Sequence, residues 1–273
     1  VKLNDITRGL KARGGKALVA FFTAGYPDED TFVELVLTAC QAGCDAIEIG
    51  VPFSDPIADG PVIQTSSEAA LKGGMTVSRA LELAGEISSR VETPLVAMSY
   101  INPILNLGLE RFAHTAAGAG ISGLILPDVS LEESADIRQT VQACGVDYID
   151  LVAPTSDAGR VQRITHAAAG AGFLYLVAVT GVTGAREAPP GDLEGFVGRV
   201  RDAAGRGTDG IPLYVGFGVS SAEQAQRLVG FADGVIVGSQ LIRIIHSESS
   251  TAGAVERVNA FLGIVKRAID RIP

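Results

Sequence analysis

The sequence predicts a (β/α)₈ barrel with an extra helix at its N-terminus. Eight short apolar runs, rich in β-branched residues, recur along the 273 residues. Amphipathic stretches separate them, and no long linker, low-complexity tract or charge run divides the chain. Strands and helices alternating eight times over about 250 residues is the barrel's signature, so residues 1–273 read as a single domain. An open doubly wound sheet competes with it. That sheet usually follows its first strand with a Gly-rich turn, and Thr23-Ala24-Gly25-Tyr26-Pro27 is not one.

The elements follow in chain order. Residues 2–13 read as a helix that plugs the barrel bottom. The first strand, 17–23, is Ala-Leu-Val-Ala-Phe-Phe-Thr, and Asp28 then supplies a cap for a helix over 29–42. The second strand, 45–50, leads through a proline-rich loop to helical stretches at 62–72 and 76–90. Strands at 94–99, 122–126 and 147–153 alternate with helices at 109–118, 131–144 and 157–168. Strands at 173–179, 212–216 and 234–238 alternate with helices at 191–204, 220–229 and 253–270. Ser220 with Glu223 reads as a capping box for the helix at 220–229.

Composition narrows the function. The net charge of −9 disfavours nucleic acid and anionic membrane surfaces, both of which select basic faces. No apolar run approaches the ~18 residues needed to cross a bilayer, and no signal-peptide core opens the chain. Three cysteines without framework spacing, Cys40, Cys44 and Cys144, fit a reducing compartment, with Cys40 and Cys44 as buried apolar thiols. A cytoplasmic location is expected. Glycine is abundant, 33 of 273 residues, as many tight turns would require.

Barrel chemistry gathers where strands end. The lysines are Lys2, Lys11, Lys16, Lys72 and Lys266, and none ends a strand, which argues against a Schiff base or covalently held pyridoxal phosphate. His114, His166 and His246 fall in or just after helices, so imidazole catalysis and His-ligated metal are poorly supported; no metal site is expected. Carboxylates remain. In Ala46-Ile47-Glu48-Ile49-Gly50, strand alternation turns Glu48 inward if Ile47 and Ile49 face the helices. An acid there loses water, and its pKa rises toward neutrality. Asp59 follows in Asp-Gly-Pro, which read alone is a turn residue, but a proline-stiffened loop holds it near Glu48. Asp55 and Asp128 read as loop-shaping residues, with a partner contact also open for Asp128. Gly181-Val182-Thr183-Gly184, Gly216-Phe217-Gly218-Val219-Ser220 and Gly238-Ser239 would let backbone amides approach a phosphate, against a plain reading as turn glycines. Residues 181–191 read as a lid with glycine hinges. An isomerase acting on a phosphorylated sugar stays open on these features.

Together these segments resemble the tryptophan synthase alpha subunit family over nearly the whole chain. Glu-Ile-Gly-Val-Pro-Phe-Ser-Asp-Pro-Ile-Ala-Asp-Gly-Pro, from Glu48 to Pro61, is similar to its signature, with Glu48 and Asp59 at the two catalytic positions. Tyr100-Ile101-Asn102-Pro103, Leu126-Pro127-Asp128 and Val152-Ala153-Pro154-Thr155 also match in order. The resemblance implies cleavage of indole-3-glycerol phosphate to indole and glyceraldehyde 3-phosphate, with no cofactor in this chain. It implies a beta subunit that carries pyridoxal phosphate, an alpha2beta2 assembly, and indole passed between the two. It implies an indole slot of Phe22, Tyr100 and Ile125, with Tyr175 beside Glu48. Thr183 would order the lid, and Gly184, Gly218, Gly238 and Ser239 would hold the phosphate. A stand-alone lyase releasing free indole for secondary metabolism would keep the same residues.

Overall fold

The computed structural model describes residues 2–177, 192–205, 207–216 and 218–272. Its strands are β1 (Ala17–Thr23), β2 (Ala46–Gly50), β3 (Leu95–Met98), β4 (Ile121–Ile125), β5 (Asp147–Ile149), β6 (Leu151–Val152), β7 (Leu174–Val177), β8 (Leu213–Gly216) and β9 (Gly234–Val237). All pairings are parallel, in the order β5-β4-β3-β2-β1-β9-β8-β7-β6. The two ends of that order are halves of one expected strand, 147–153, interrupted at Asp150. The sheet therefore closes on itself as an eight-membered barrel. Asp150 still serves the closure, because its carbonyl accepts the Tyr175 N–H at 3.0 Å. Arg138 donates to its carboxylate at 2.7 and 3.0 Å.

The helices are α1 (Leu3–Ala12), α2 (Glu29–Gln41), α3 (Pro61–Lys72), α4 (Val77–Ser88), α5 (Ile101–Leu107), α6 (Leu109–Gly118), α7 (Ala135–Ala143), α8 (Ala158–Ala167), α9 (Leu193–Ala204), α10 (Ala222–Val229), α11 (Ser239–Ser247) and α12 (Thr251–Ile269). Period-two alternation divides the apolar residues into two cores. Ala17, Val19 and Ala46 join Val96, Ile149 and Phe173 inside the barrel, while Leu18, Ala20, Ile47 and Ile49 pack outward against the helices. α1 plugs the bottom as expected. Leu3 and Leu10 enter the inner core, and Thr7 Oγ1 donates to the Gly172 carbonyl at 2.7 Å.

Several expectations need correction. The capping box lies one residue later: Ser221 accepts the Gln224 N–H, and the Gln224 side chain returns to Ser220. Residues 131–134 form turns ahead of α7 rather than its first turn. α5 went unread because Pro103 looks like a breaker; it occupies the first turn, where an N–H has no intrahelical acceptor to lose. Cys44 is buried as expected, but Cys40 only partly so.

Candidate active site

Alternation carries Glu48 into the barrel interior opposite Ile47 and Ile49, and leaves it 1% exposed. Among the described residues its Oε2 has no hydrogen-bond partner. Burial, and then the neighbouring Asp59 charge, push the Glu48 carboxyl up to about 8. Such a group is protonated at neutral pH and holds a proton it can give away.

Asp59 lies in the loop between β2 and α3. Pro52 and Pro56 stiffen that loop, and Pro61 opens α3 at a position that needs no N–H. The Asp59 N–H turns back onto the Pro56 carbonyl at 3.1 Å, and the Gln64 amide donates to the Asp59 carbonyl at 2.8 Å. Burial raises the Asp59 carboxyl to about 6, against a hydrogen bond from Tyr100 that lowers it. The two acids thus sit side by side with different proton affinities, which is how one site obtains an acid and a carboxylate together.

Two rings flank the pair, each resting on a strand glycine. A Cβ on Gly50 would lie 2.5 Å from Phe21 Cζ, and one on Gly216 would overlap the Tyr175 ring. The Tyr175 phenol is held well above its usual range by burial, then by Glu48 and Asp59. Phe21, Met98, Leu151 and Tyr175 line the same cavity as the acids, with Gly218, Gly238 and Ser239 also on its wall. Ser239 is the first residue of α11, so the first-turn amides and the positive end of the helix dipole lie beside the cavity.

The expected slot is only partly met. Phe22 points outward into the core between barrel and helices, and its neighbour Phe21 takes the cavity position. The register that pairs Phe21 with Glu48 shows the parity, but the Phe-Phe doublet alone could not. Ile125 belongs to the inner core, while Met98 and Leu151 reach the cavity wall. Tyr100 does not line the cavity; its hydroxyl accepts the Ala58 N–H at 3.0 Å, beside Asp59 in the chain. Asp128 caps α5, accepting the Ile101 N–H at 3.1 Å. Thr183, Gly184 and the lid at 181–191 lie outside the described residues.

Lys11, Lys16 and Lys266 all serve the opposite end of the barrel. Their partners are Asp233, the Ala232 carbonyl and Asp45, residues that precede strands. Among the described residues, no three His, Cys, Asp or Glu side chains converge to hold a metal ion.

A closed barrel with a buried acid pair and a glycine-lined cradle at its strand ends has the build of a barrel enzyme. Known proteins narrow that class. The family model described as tryptophan synthase alpha chain matches residues 8–270. The tryptophan synthase alpha chain of Geobacter sp. (strain M21) is 44% identical over 268 residues, covering 98% of this chain and 97% of that protein. That of Synechococcus elongatus is 41% identical over 272 residues, covering 99% and 98%. A solved structure of Mycobacterium tuberculosis tryptophan synthase superposes with a TM-score of 0.87 at 35% identity, covering 98% of each chain. Tryptophan synthase subunit alpha from Legionella pneumophila does so at 0.87 and 34%, covering 99% and 98%. The chain belongs to the tryptophan synthase alpha chain family.

Proposed function

We propose that the chain is a carbon–carbon lyase that cleaves indole-3-glycerol phosphate to indole and glyceraldehyde 3-phosphate, with Glu48 and Asp59 as its catalytic residues. Breaking a bond to an aromatic carbon needs an electron sink. No lysine stands near the strand ends to form an imine, so the substrate must provide it. Protonated Glu48 gives its proton to indole C3, and the ring nitrogen takes up the positive charge. The Asp59 carboxylate holds the ring N–H and balances that charge. The Glu48 carboxylate then removes the proton from the C3′ hydroxyl. The carbon–carbon bond breaks, its electron pair restores the indole ring, and the hydroxyl-bearing carbon leaves as an aldehyde. Glu48 ends protonated again, so the cycle needs no cofactor in this chain.

Phe21, Met98, Leu151 and Tyr175 would form the slot for the indole ring. Backbone at Gly218, Gly238 and Ser239, with the N-terminal end of α11, would hold the phosphate without a cation. That suits a chain of net charge −9. Ile57 and Leu105, 75% and 57% exposed, lie in the loop and the helix that meet through Tyr100 and Ala58. Apolar surface there supports docking of a beta subunit, which would carry pyridoxal phosphate and receive the indole in an alpha2beta2 assembly. Among the described residues no helix is long and apolar enough to cross a membrane, and a cytoplasmic location fits the proposed role.

The observation that carries this reading is a fully buried Glu48, with one oxygen that has no partner among the described residues, beside a second acid. The test is incubation of the purified chain with indole-3-glycerol phosphate, alone and with a beta subunit. Indole and glyceraldehyde 3-phosphate should appear in equal amounts, faster with the partner. Partner-independent turnover at full rate would favour a stand-alone lyase, and absence of indole under both conditions would remove the reading.

A further inference from the structure

We propose that Thr23 is a positioning residue for the reaction: through Ser66 it sets how closely the first turn of α3, and with it Asp59 and Ile63, sits against the barrel end that holds Glu48. The inference deepens the lyase reading and rests on it. Thr23 ends β1 and Ser66 lies in α3, and they are 1% and 0% exposed. Their hydroxyl oxygens are 2.7 Å apart. The Ser66 hydroxyl also donates to the Ile63 carbonyl at 2.8 Å, and a carbonyl can only accept. A serine has one proton to give, so Thr23 is the donor of the hydroxyl pair. The hydrogen bonds therefore run one way, from the tip of β1 through Ser66 to the first turn of α3.

Both ends of this relay adjoin the site. Phe21, two residues before Thr23, lines the cavity and is in register with Glu48. Thr23 is in register with Gly50, the glycine that makes room for the Phe21 ring. At the other end, Ile63 and Asp59 line the same cavity. The Gln64 N–H donates to the Gly60 carbonyl at 2.9 Å, and the Gln64 side-chain amide donates to the Asp59 carbonyl at 2.8 Å. Asp59 is thereby tied to the first turn of α3. Neither Thr23 nor Ser66 lines the cavity, so both act through Asp59 and Ile63.

α3 packs against β1 and α11. Among the described residues, the Thr23–Ser66 contact is the only hydrogen bond between α3 and a strand. Apolar packing is non-directional, whereas a hydrogen bond holds two atoms at one distance. A methyl in place of the Thr23 hydroxyl would keep about 3.3–3.6 Å from the Ser66 oxygen, so α3 would back away by roughly half an ångström or more. A misplacement of about 1 Å can cost a factor of about 100 in rate.

The test is the split between kcat and KM for indole release by the isolated chain, assayed well below the Tm of every variant. Thr23→Val keeps the shape and loses the donor; it should lower kcat about tenfold or more while KM moves less than about twofold, because the cradle at β8, β9 and α11 is untouched. Thr23→Ser keeps the donor and should return kcat to within about twofold of the parent. Ser66→Ala should lower kcat as Thr23→Val does, and the double variant should be no slower than the slower single one, since both changes break one relay. Calorimetry reads the same displacement without turnover: indole should bind the ligand-free Thr23→Val chain more weakly, and glyceraldehyde 3-phosphate should bind it as it binds the parent. A lower Tm in Thr23→Val with kcat and indole binding unchanged would overturn the positioning role alone. So would equal losses in Thr23→Val and Thr23→Ser. A parent chain that releases no indole would overturn the lyase reading and this inference with it.

Discussion

Glu48 costs the fold stability in return for the proton it is proposed to carry. An unfolded glutamate titrates near 4.3, whereas this one is pushed up to about 8, mainly by burial. Between those values the folded chain holds a proton that the unfolded chain has released. The stability associated with Glu48 is therefore greatest below about pH 4 and declines as pH rises toward 8. Glu48→Gln removes that dependence. Urea unfolding should find the variant more stable than the parent at pH 8, by about 2 kcal/mol or more, with little difference at pH 4. Equal stability at both would mean that Glu48 is not carried as a buried acid. Glycine at 50 gives a second residue-scale prediction. Gly50→Ala places a methyl 2.5 Å from Phe21 Cζ, and the ring must swing into the cavity. Such overpacking costs about 1–3 kcal/mol. A fall in kcat/KM should accompany it, and Phe21→Leu in the same chain should recover part of the loss. Glu48 was legible in the sequence because a carboxylate in a β-branched run admits few bland readings. Phe22 was misread because two adjacent phenylalanines look alike until a neighbouring strand sets their parity.

The elements explain why the site sits at one end. βα-loops meet at the strands' C-terminal tips, where Glu48, Asp59, Gly218 and Ser239 gather. The opposite end is given to stability, with Asp45 and Asp233 accepting strand amides and pairing with Lys266, Lys11 and Arg201. α1 belongs to that end. Leu3 is 1% exposed, and a Cβ on Gly172 would lie 2.7 Å from its Cγ. Leu3→Ala should cost about 2–5 kcal/mol, read as a lower Tm, while kcat stays near the parent value. A large loss of kcat with unchanged Tm would contradict this division of labour. Periodicity made the strands and most helices readable, since alternation and amphipathic spacing are local. The break at Asp150 was not, because nothing local marks it and its ion-pair partner, Arg138, comes from another element, α7. α5 was hidden for the opposite reason: a local signal, Pro103, points away from helix unless its place in the first turn is known.

At the scale of the molecule, the proposed function has an acidic chain bind a phosphorylated compound with backbone rather than side-chain charge. Glycines at the ends of β8 and β9 and the start of α11 would supply such a cradle under the proposed function. The acid pair shares one cavity with those glycines, beside the two rings. Composition indicated carboxylate and backbone chemistry through what was missing at the strand ends: lysine and histidine. The central claim is that Glu48 carries the proton on which carbon–carbon cleavage depends. Its most direct measurement compares indole release from indole-3-glycerol phosphate by the parent chain and by Glu48→Gln, with glyceraldehyde 3-phosphate binding followed in both. The parent should release indole, and Glu48→Gln should bind the phosphate compound equally well yet release none. Turnover by Glu48→Gln near the parent rate would contradict the claim.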